Sequence, residues 1–410
     1  MDANSLSITI NPPHPIPLAG YGNRLGNYKS IHDSIEANVM LIKDQGTVCV
    51  LITIDALFAT TALKESILDQ VQSSNLSTDN VFLFASHTHF APALDQTKPL
   101  LGLVDRDYLN DVTQKIAQAI QSLLKSESKS VSIHYTQTSA KHAVNRRVTL
   151  RSGQVKLAVN RSGDKDESIH LLKCIDSDGQ LQSILWSYAC HPVCFPDRSR
   201  VSSDYIGVVR DAIRNLYRND QLPVLFLQGF SGDIRPNSPD FSIRSLFRWA
   251  RHGAQVFKRM SVKRFDCWSH SLSRIVTSAL ESAPFVEQDS SLDIATNRIP
   301  IQALLETSDT PAIQDKDLTT VLIKFGTSLC ICGISAEVTS SYRHYIKQWI
   351  SSDTIIPVGC MDSVFGYLPS KTMLGTGGYE DLLFGPAFSI GTIVFNQDIE
   401  TKLRTIITSE

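Results

Sequence analysis

Two short apolar runs bracket a helical stretch near the start of the chain, and this spacing narrows the choice of fold more than any other feature. Thr47-Val-Cys-Val-Leu-Ile-Thr-Ile-Asp55 is rich in β-branched residues, contains no Gly or Pro, and ends in a carboxylate. Residues 61–72 then carry Leu63, Ile67 and Val71 at the spacing of one helix face. Val81-Phe-Leu-Phe-Ala85 restores the strand pattern and stops at Ser86-His87-Thr88-His89. Continuous apolar strands are the habit of sheets covered on both faces by other layers. Strand, helix, strand therefore predicts a βαβ-like unit and an α/β chain. In an extended backbone, residues two apart face the same side, so His87 and His89 are predicted to address one site from the end of their strand. Imidazole is a common metal ligand and a common acid or base near pH 7. His-x-His also occurs in strands that have neither role, so the rest of the chain must supply partners.

The same grammar recurs downstream. Residues 7–24 read as a short strand followed by a loop, because Pro12, Pro13, Pro15 and Pro17 remove backbone donors. A helix is predicted at about 106–125, with Leu109, Val112, Ile116, Ile120 and Leu123 on one face and Asp105 as its cap. Residues 131–160 are β-rich and irregular and include Asn145-Arg146-Arg147. A hairpin at Ser177-Asp178-Gly179 leads into Leu181–Cys190, which runs to His191-Pro192. Ser202-Ser203-Asp204 precedes a helix bearing Ile206, Val209, Ile213 and Leu216. The next strand, 223–228, opens into Gly229-Phe-Ser-Gly-Asp233-Ile-Arg-Pro-Asn237. This order departs from the Gly-x-Ser-x-Gly of a serine-hydrolase elbow, so a Gly-rich loop near a site is the better reading. In the final third, Thr320–Lys324 and Ser328–Gly333 form a strand pair. Glu337 follows, as a site carboxylate or as an acidic residue opening the helix with Tyr342, Ile346 and Trp349. Tyr367 and Tyr379 stand in Gly-rich surroundings that permit close approach to a ligand, or simple packing.

Composition limits the classes. The chain has 410 residues, 42% hydrophobic and 20% charged, with a net charge of −2, so a general nucleic-acid binder is disfavoured. No basic, apolar leader opens the sequence and no apolar run approaches the ~18 residues of a membrane span, which makes the cytoplasm the expected compartment. Several of the eight cysteines sit in apolar runs and read as reduced core thiols, with Cys190, Cys194 and the Cys330/Cys332 pair as lesser metal candidates. Residues 241–264 stand apart: Arg244, Arg248, Arg251, Lys258, Arg259, Lys263 and Arg264 accompany Phe247, Trp249 and Phe257 without one acidic residue. This reads as a basic helical insertion at about 238–266. It is either a solvated face or a lid and docking surface for an anionic or membrane-associated partner. With no internal repeat or linker, residues 1–410 are expected to form one domain of mixed sheets flanked by helices. An α/β/β/α layering is one arrangement that satisfies this.

Taken in order, His87-Thr-His89, His191-Pro192, Ser202-x-Asp-Tyr-x-Gly207, Gly232-Asp-x-x-Pro-Asn237, Ala336-Glu-Val-Thr339 and Tyr379-Glu380 resemble the neutral/alkaline non-lysosomal ceramidase family, zinc-dependent amidases. The resemblance covers almost the whole chain. It implies one zinc held by His87, His191, Glu337 and Tyr367, and a catalytic His89 beside the metal. It also implies contacts of Arg146 and Tyr379 with the reacting carbonyl of a linear N-acylated small molecule. The ligand chemistry is coherent by itself, since two imidazoles and a carboxylate leave a position for water. Asp55, Asp204 and Asp233 are candidates for orienting the histidines, or equally for caps and turns. Three departures separate the chain from the family pattern. The usual carboxyl-terminal β-sandwich and an export signal are both expected to be missing, and Arg235 stands where the family loop Gly-Asp-x-Ser-Pro-Asn has serine. Acyl transfer at the same site, or binding of an acylated ligand without catalysis, are the rival functions.

Overall fold

The computed structural model describes all residues except Asn23, Leu25, Ser74, 307–315 and Glu410; the side chains of Arg248 and His252 also lie outside the described residues. Among the described residues the largest sheet has nine strands. Its main path runs Val224–Gln228, Leu181–Tyr188, Ser168–Asp176, Lys129–Ser139, Asp2–Thr9, Glu36–Asp44, Thr47–Ile54 and Val81–Ala85. The two terminal pairs are parallel and the inner pairings antiparallel. A four-stranded sheet, Leu292–Pro300, Asp317–Phe325, Leu329–Ile334 and Thr354–Val358, also ends in a parallel pair.

Side-chain alternation sorts these strands into layers. Val39, Leu41, Val50 and Ile52 face the helices Thr61–Val71 and Arg106–Lys125. Their neighbours Met40, Ile42, Leu51, Phe82 and Phe84 turn the other way and meet Val321, Ile323, Ile331, Ile356 and Val358 in a core between the two sheets. Trp186 and Phe226 pack beneath the helices Tyr205–Tyr217 and Val262–Ser282. The helices Tyr342–Trp349 and Ile399–Thr408 cover the other face of the four-stranded sheet through Ile346 and Leu403. The mixed α/β class holds, in an α/β/β/α arrangement. Each fully buried Phe or Leu in these layers contributes roughly 1.5–3 kcal/mol, so the inter-sheet core fixes how the strand ends meet.

The local readings hold with three adjustments. Thr60 and Asp105 cap their helices, accepting from the Leu63 and Tyr108 amides. The first strand begins at Asp2 rather than 7, because backbone pairing along Glu36–Asp44 carries its polar residues. The loop after Gln228 contains a short strand, Ile234–Pro236, which pairs with Ala143–Thr149 and sets Ile234 opposite Asn145. The basic stretch holds the helix Ile243–His252, with Ile243, Phe247 and Trp249 exposed, and then enters the helix Val262–Ser282, whose Phe265 is a core residue. No described helix is long and apolar enough to cross a membrane.

Candidate metal centre

Three parallel strand pairs in these sheets are each linked through a helix: Thr47–Ile54 with Val81–Ala85, Leu181–Tyr188 with Val224–Gln228, and Leu329–Ile334 with Thr354–Val358. Ligands of open α/β sheets bind beyond the carboxyl ends of such strands, and here the three sets of ends converge. His87 follows the second strand of the first pair, His191 the first strand of the second pair and Glu337 the first strand of the third. The His-x-His geometry differs from expectation. The strand ends at Ala85, and His87 has φ 64, in the left-handed region. A turn, not strand alternation, aims the two rings, whose centroids lie 5.0 Å apart at 86°. The turn is pinned where Thr88 Oγ1 donates to the Ser202 carbonyl. Non-glycine residues adopt this backbone sparingly, and such strain collects at functional sites.

The ring nitrogens reveal the chemistry. His87 Nδ1 lies 2.9 Å from the Leu57 carbonyl, His191 Nδ1 2.8 Å from that of Ser231, and His89 Nδ1 2.8 Å from that of Gly20. A carbonyl only accepts, so each Nδ1 carries a proton, and each ring, when neutral, keeps its lone pair on Nε2. His87 Nε2 and His191 Nε2 are 3.2 Å apart. Glu337 Oε2 stands 3.4 Å from the first and 3.2 Å from the second. His89 completes a histidine group whose ligand atoms all lie within 4.8 Å of one another. His89 Nε2 and Glu337 Oε2 are buried and have no hydrogen-bond partner among the described residues. With the rings neutral, four acceptor atoms face one another, an arrangement that a cation, whether a metal ion or a proton on His87, would satisfy. The spacing suits one, since ligands about 2.0–2.1 Å from a tetrahedral zinc are about 3.3 Å from each other.

The electrostatics agree. Burial, then the neighbouring His87 and His191, push His89 well below the ordinary imidazole pKa. Burial and Arg146 lower His191 to about 4. Burial disfavours charge on His87, but Cys360 and the Glu337 carboxylate outweigh it and hold His87 well above the ordinary value. Glu337 is held well below its ordinary value: burial opposes its charge, and His87 and His191 overcome that. The pocket therefore favours one positive charge beside the carboxylate.

Glu337 lies on a two-residue strand paired in register with Tyr367, not in the first turn of the following helix. Tyr367 accepts from Arg146 Nη2 at 3.2 Å, and its ring packs 5.4 Å from that of Tyr379. Arg146 is buried, and its Nε donates to Glu380 at 2.7 Å. The other Glu380 oxygen accepts from Arg147 at 2.7 Å. The structure thus brings together seven of the candidates named from sequence: His87, His89, His191, Glu337, Tyr367, Arg146 and Tyr379.

The three aspartates do not orient the histidines; backbone carbonyls do. Asp55 binds Arg210 and the Glu36 amide, and Asp204 accepts from the Cys194, Phe195 and Tyr205 amides. Asp233 instead steadies the Arg146 segment. Its carbonyl accepts from the Arg146 amide and its carboxylate from Asn145 and Ser340. Cys190, Cys194, Cys330 and Cys332 are buried free thiols outside the histidine group. Sequence reasoning missed Glu380 as the group that holds Arg146, although it directly follows Tyr379.

Residues 8–242 match the model of the neutral/alkaline non-lysosomal ceramidase N-terminal region. The chain belongs to this ceramidase family. The matched stretch contains His87, His89, Arg146 and His191, while Glu337, Tyr367 and Tyr379 lie beyond it. The ceramidase likeness extends to the fold of nearly the whole chain. Neutral ceramidase from Pseudomonas aeruginosa superposes with a TM-score of 0.76 at 13% identity, covering 99% of this chain and 73% of that one. A ceramidase complexed with C2 gives 0.75 at 12% identity, covering 99% and 74%.

Proposed function

We propose that this ceramidase-family chain is a zinc-dependent hydrolase that cleaves the N-acyl bond of a small linear amide, with residues 1–410 as one catalytic domain. The observation that carries the reading is the set of converging acceptor atoms, His87 Nε2, His191 Nε2 and Glu337 Oε2, at 3.2–3.4 Å. These three residues would hold the ion, with Tyr367 as a fourth and weaker ligand. When bound, zinc supplies Lewis acidity and lowers the pKa of water to about 7.

The remaining residues do the positioning and the proton work. His89, neutral and with its Nε2 lone pair unclaimed, takes a proton from the attacking water and returns it to the departing nitrogen. Arg146, locked by Glu380, presents its remaining N–H groups, and Tyr379 its hydroxyl, to the oxygen that gains charge as the carbonyl becomes tetrahedral. Glu380 is therefore a positioning residue.

The 4.8 Å histidine grouping favours a second arrangement in which His89 itself is a ligand. Metal analysis of variants separates the two. His87→Ala and Glu337→Ala should each lose metal and amidase activity together, whereas His89→Ala should retain about one zinc per chain and lose turnover. Loss of metal in His89→Ala assigns it to the ligand set. A zinc-free preparation with full activity overturns the mechanism, and acyl transfer to an added amine in preference to water would make the chain a tailoring transferase. Tight binding of an N-acyl amine that is never cleaved would make it a binding protein.

A further inference from the structure

A cavity of about 220 Å³ shares a wall with the metal centre. Its lining includes Tyr21, Arg198, Arg235, Ser238, Lys258 and Arg259. The Tyr21 ring lies 5.2 Å from that of His89, and the Arg198 guanidinium sits 3.7 Å from the Tyr21 centroid. The cavity is therefore one aromatic ring away from His89.

Arg235 reaches the cavity from the short strand that pairs with the Arg146 segment, and its guanidinium stacks 4.7 Å from the Phe257 centroid. Its Nε is buried and has no hydrogen-bond partner among the described residues. Burial, with Arg146 nearby, lowers its pKa from the ordinary guanidinium value. The nearby carboxylates are engaged elsewhere: Asp204 by the Cys194, Phe195 and Tyr205 amides, and Asp197 by Ser199. Arg259 donates to the Pro196 carbonyl, a neutral acceptor. A desolvated guanidinium with its Nε unclaimed, beside three further cations, is a site that a planar or tetrahedral oxyanion completes.

We infer that this cavity binds an anionic group of the substrate, a carboxylate or a sulfonyl or phosphoryl oxyanion, so that the amide cleaved at the metal centre carries its negative charge close to the scissile bond. Arg235 and Arg198 grip the oxyanion and Lys258 and Arg259 draw it in at the mouth. The inference rests on the amidase reading above and narrows its substrate class from N-acyl amines in general to anionic ones.

The test compares N-hexanoylglycine with N-hexanoylethanolamine, which share the acyl chain and amide and differ in carboxylate against alcohol. Wild type should favour the glycine compound by at least about tenfold in kcat/KM, the scale of a charge-assisted contact. Arg235→Ser should bring the ratio to near unity. The double variant Lys258→Ala/Arg259→Ala, at exposed positions where folding is not at issue, should lower it several-fold. Equal hydrolysis of both compounds by wild type overturns the inference and leaves the amidase reading standing. If neither is cleaved, the amidase reading fails, and calorimetric binding decides the cavity. N-hexanoylglycine binding that Arg235→Ser weakens at least about tenfold supports the anion site, and binding that it leaves unchanged overturns it. Binding of inorganic phosphate that N-hexanoylglycine cannot displace assigns the cavity to a free anion and overturns the substrate assignment.

Discussion

The placement of His89 depends on a residue with no side chain. Gly20 has φ +96, and a Cβ there would stand 2.6 Å from His89 Cγ and Nδ1, while its carbonyl fixes the His89 tautomer. Gly20→Ala should therefore lower kcat by about tenfold or more through a displaced proton carrier, with zinc content unchanged; coincident loss of metal would place His89 among the ligands. Glu380→Gln should loosen Arg146 and lower kcat by about 10–100-fold, partly restored by Glu380→Asp; an unchanged kcat would return the pair to simple packing. Asp204 offers a test by pH. Burial raises its folded-state pKa from 3.8 to about 6, against hydrogen bonds from Cys194, Phe195 and Tyr205 that favour the charged form. Between those values the folded protein holds a proton that the unfolded chain has released, so this group's contribution to stability falls as pH rises from about 4 to 6, on the order of 3 kcal/mol in all. The unfolding midpoint of Asp204→Asn should depend less steeply on pH between 4 and 6 than wild type does, and an equal slope would show that Asp204 does not titrate there.

At the scale of elements, the three helix-linked parallel pairs are the device that assembles the centre, because each carries one acceptor-bearing residue just past the carboxyl end of a strand. The helix Ile243–His252 does something different. It exposes Ile243, Phe247 and Trp249 at 73%, 72% and 53%, beside Arg244 and Arg251. Apolar residues interleaved with cations suit an interfacial helix at an anionic surface. Purified protein should co-sediment with anionic vesicles and not with neutral ones, and Phe247→Glu should weaken this without changing zinc content. Absence of co-sedimentation at low salt would leave the helix as a solvated face.

At the scale of the molecule, the two sheets press a shared core together, from Met40 and Phe84 on one side to Val321 and Ile356 on the other, and so hold His87 and Glu337, 250 residues apart in sequence, beside each other. Metal bound only by the folded chain stabilises it by mass action, about 4 kcal/mol when free metal is 1,000 times the dissociation constant. Chelation should accordingly lower the melting temperature of the wild type and leave that of His87→Ala nearly unchanged. An equal loss in both would mean that the chelator acts away from this centre.

Local pattern carried much of this. Apolar runs and helical spacing marked the strands, the helices at 61–72 and 106–125 and the α/β class, because burial on one or two faces writes its period into the residues. Ordered motifs marked the seven residues that the fold brings together, and Arg235 stood out as the basic residue where the family pattern has serine. Other features arise only when distant segments pack. The left-handed turn at His87, the carbonyls of Gly20, Leu57 and Ser231 that set the tautomers, and the grip of Glu380 on Arg146 are backbone and long-range contacts that leave no local period. Asp55, Asp204 and Asp233 stayed open between histidine partner and cap or turn for the same reason: a carboxylate looks alike in sequence whether it faces a histidine or an amide. Residue order alone determined which groups this chain brings to its strand ends, and tertiary packing decided where their lone pairs point.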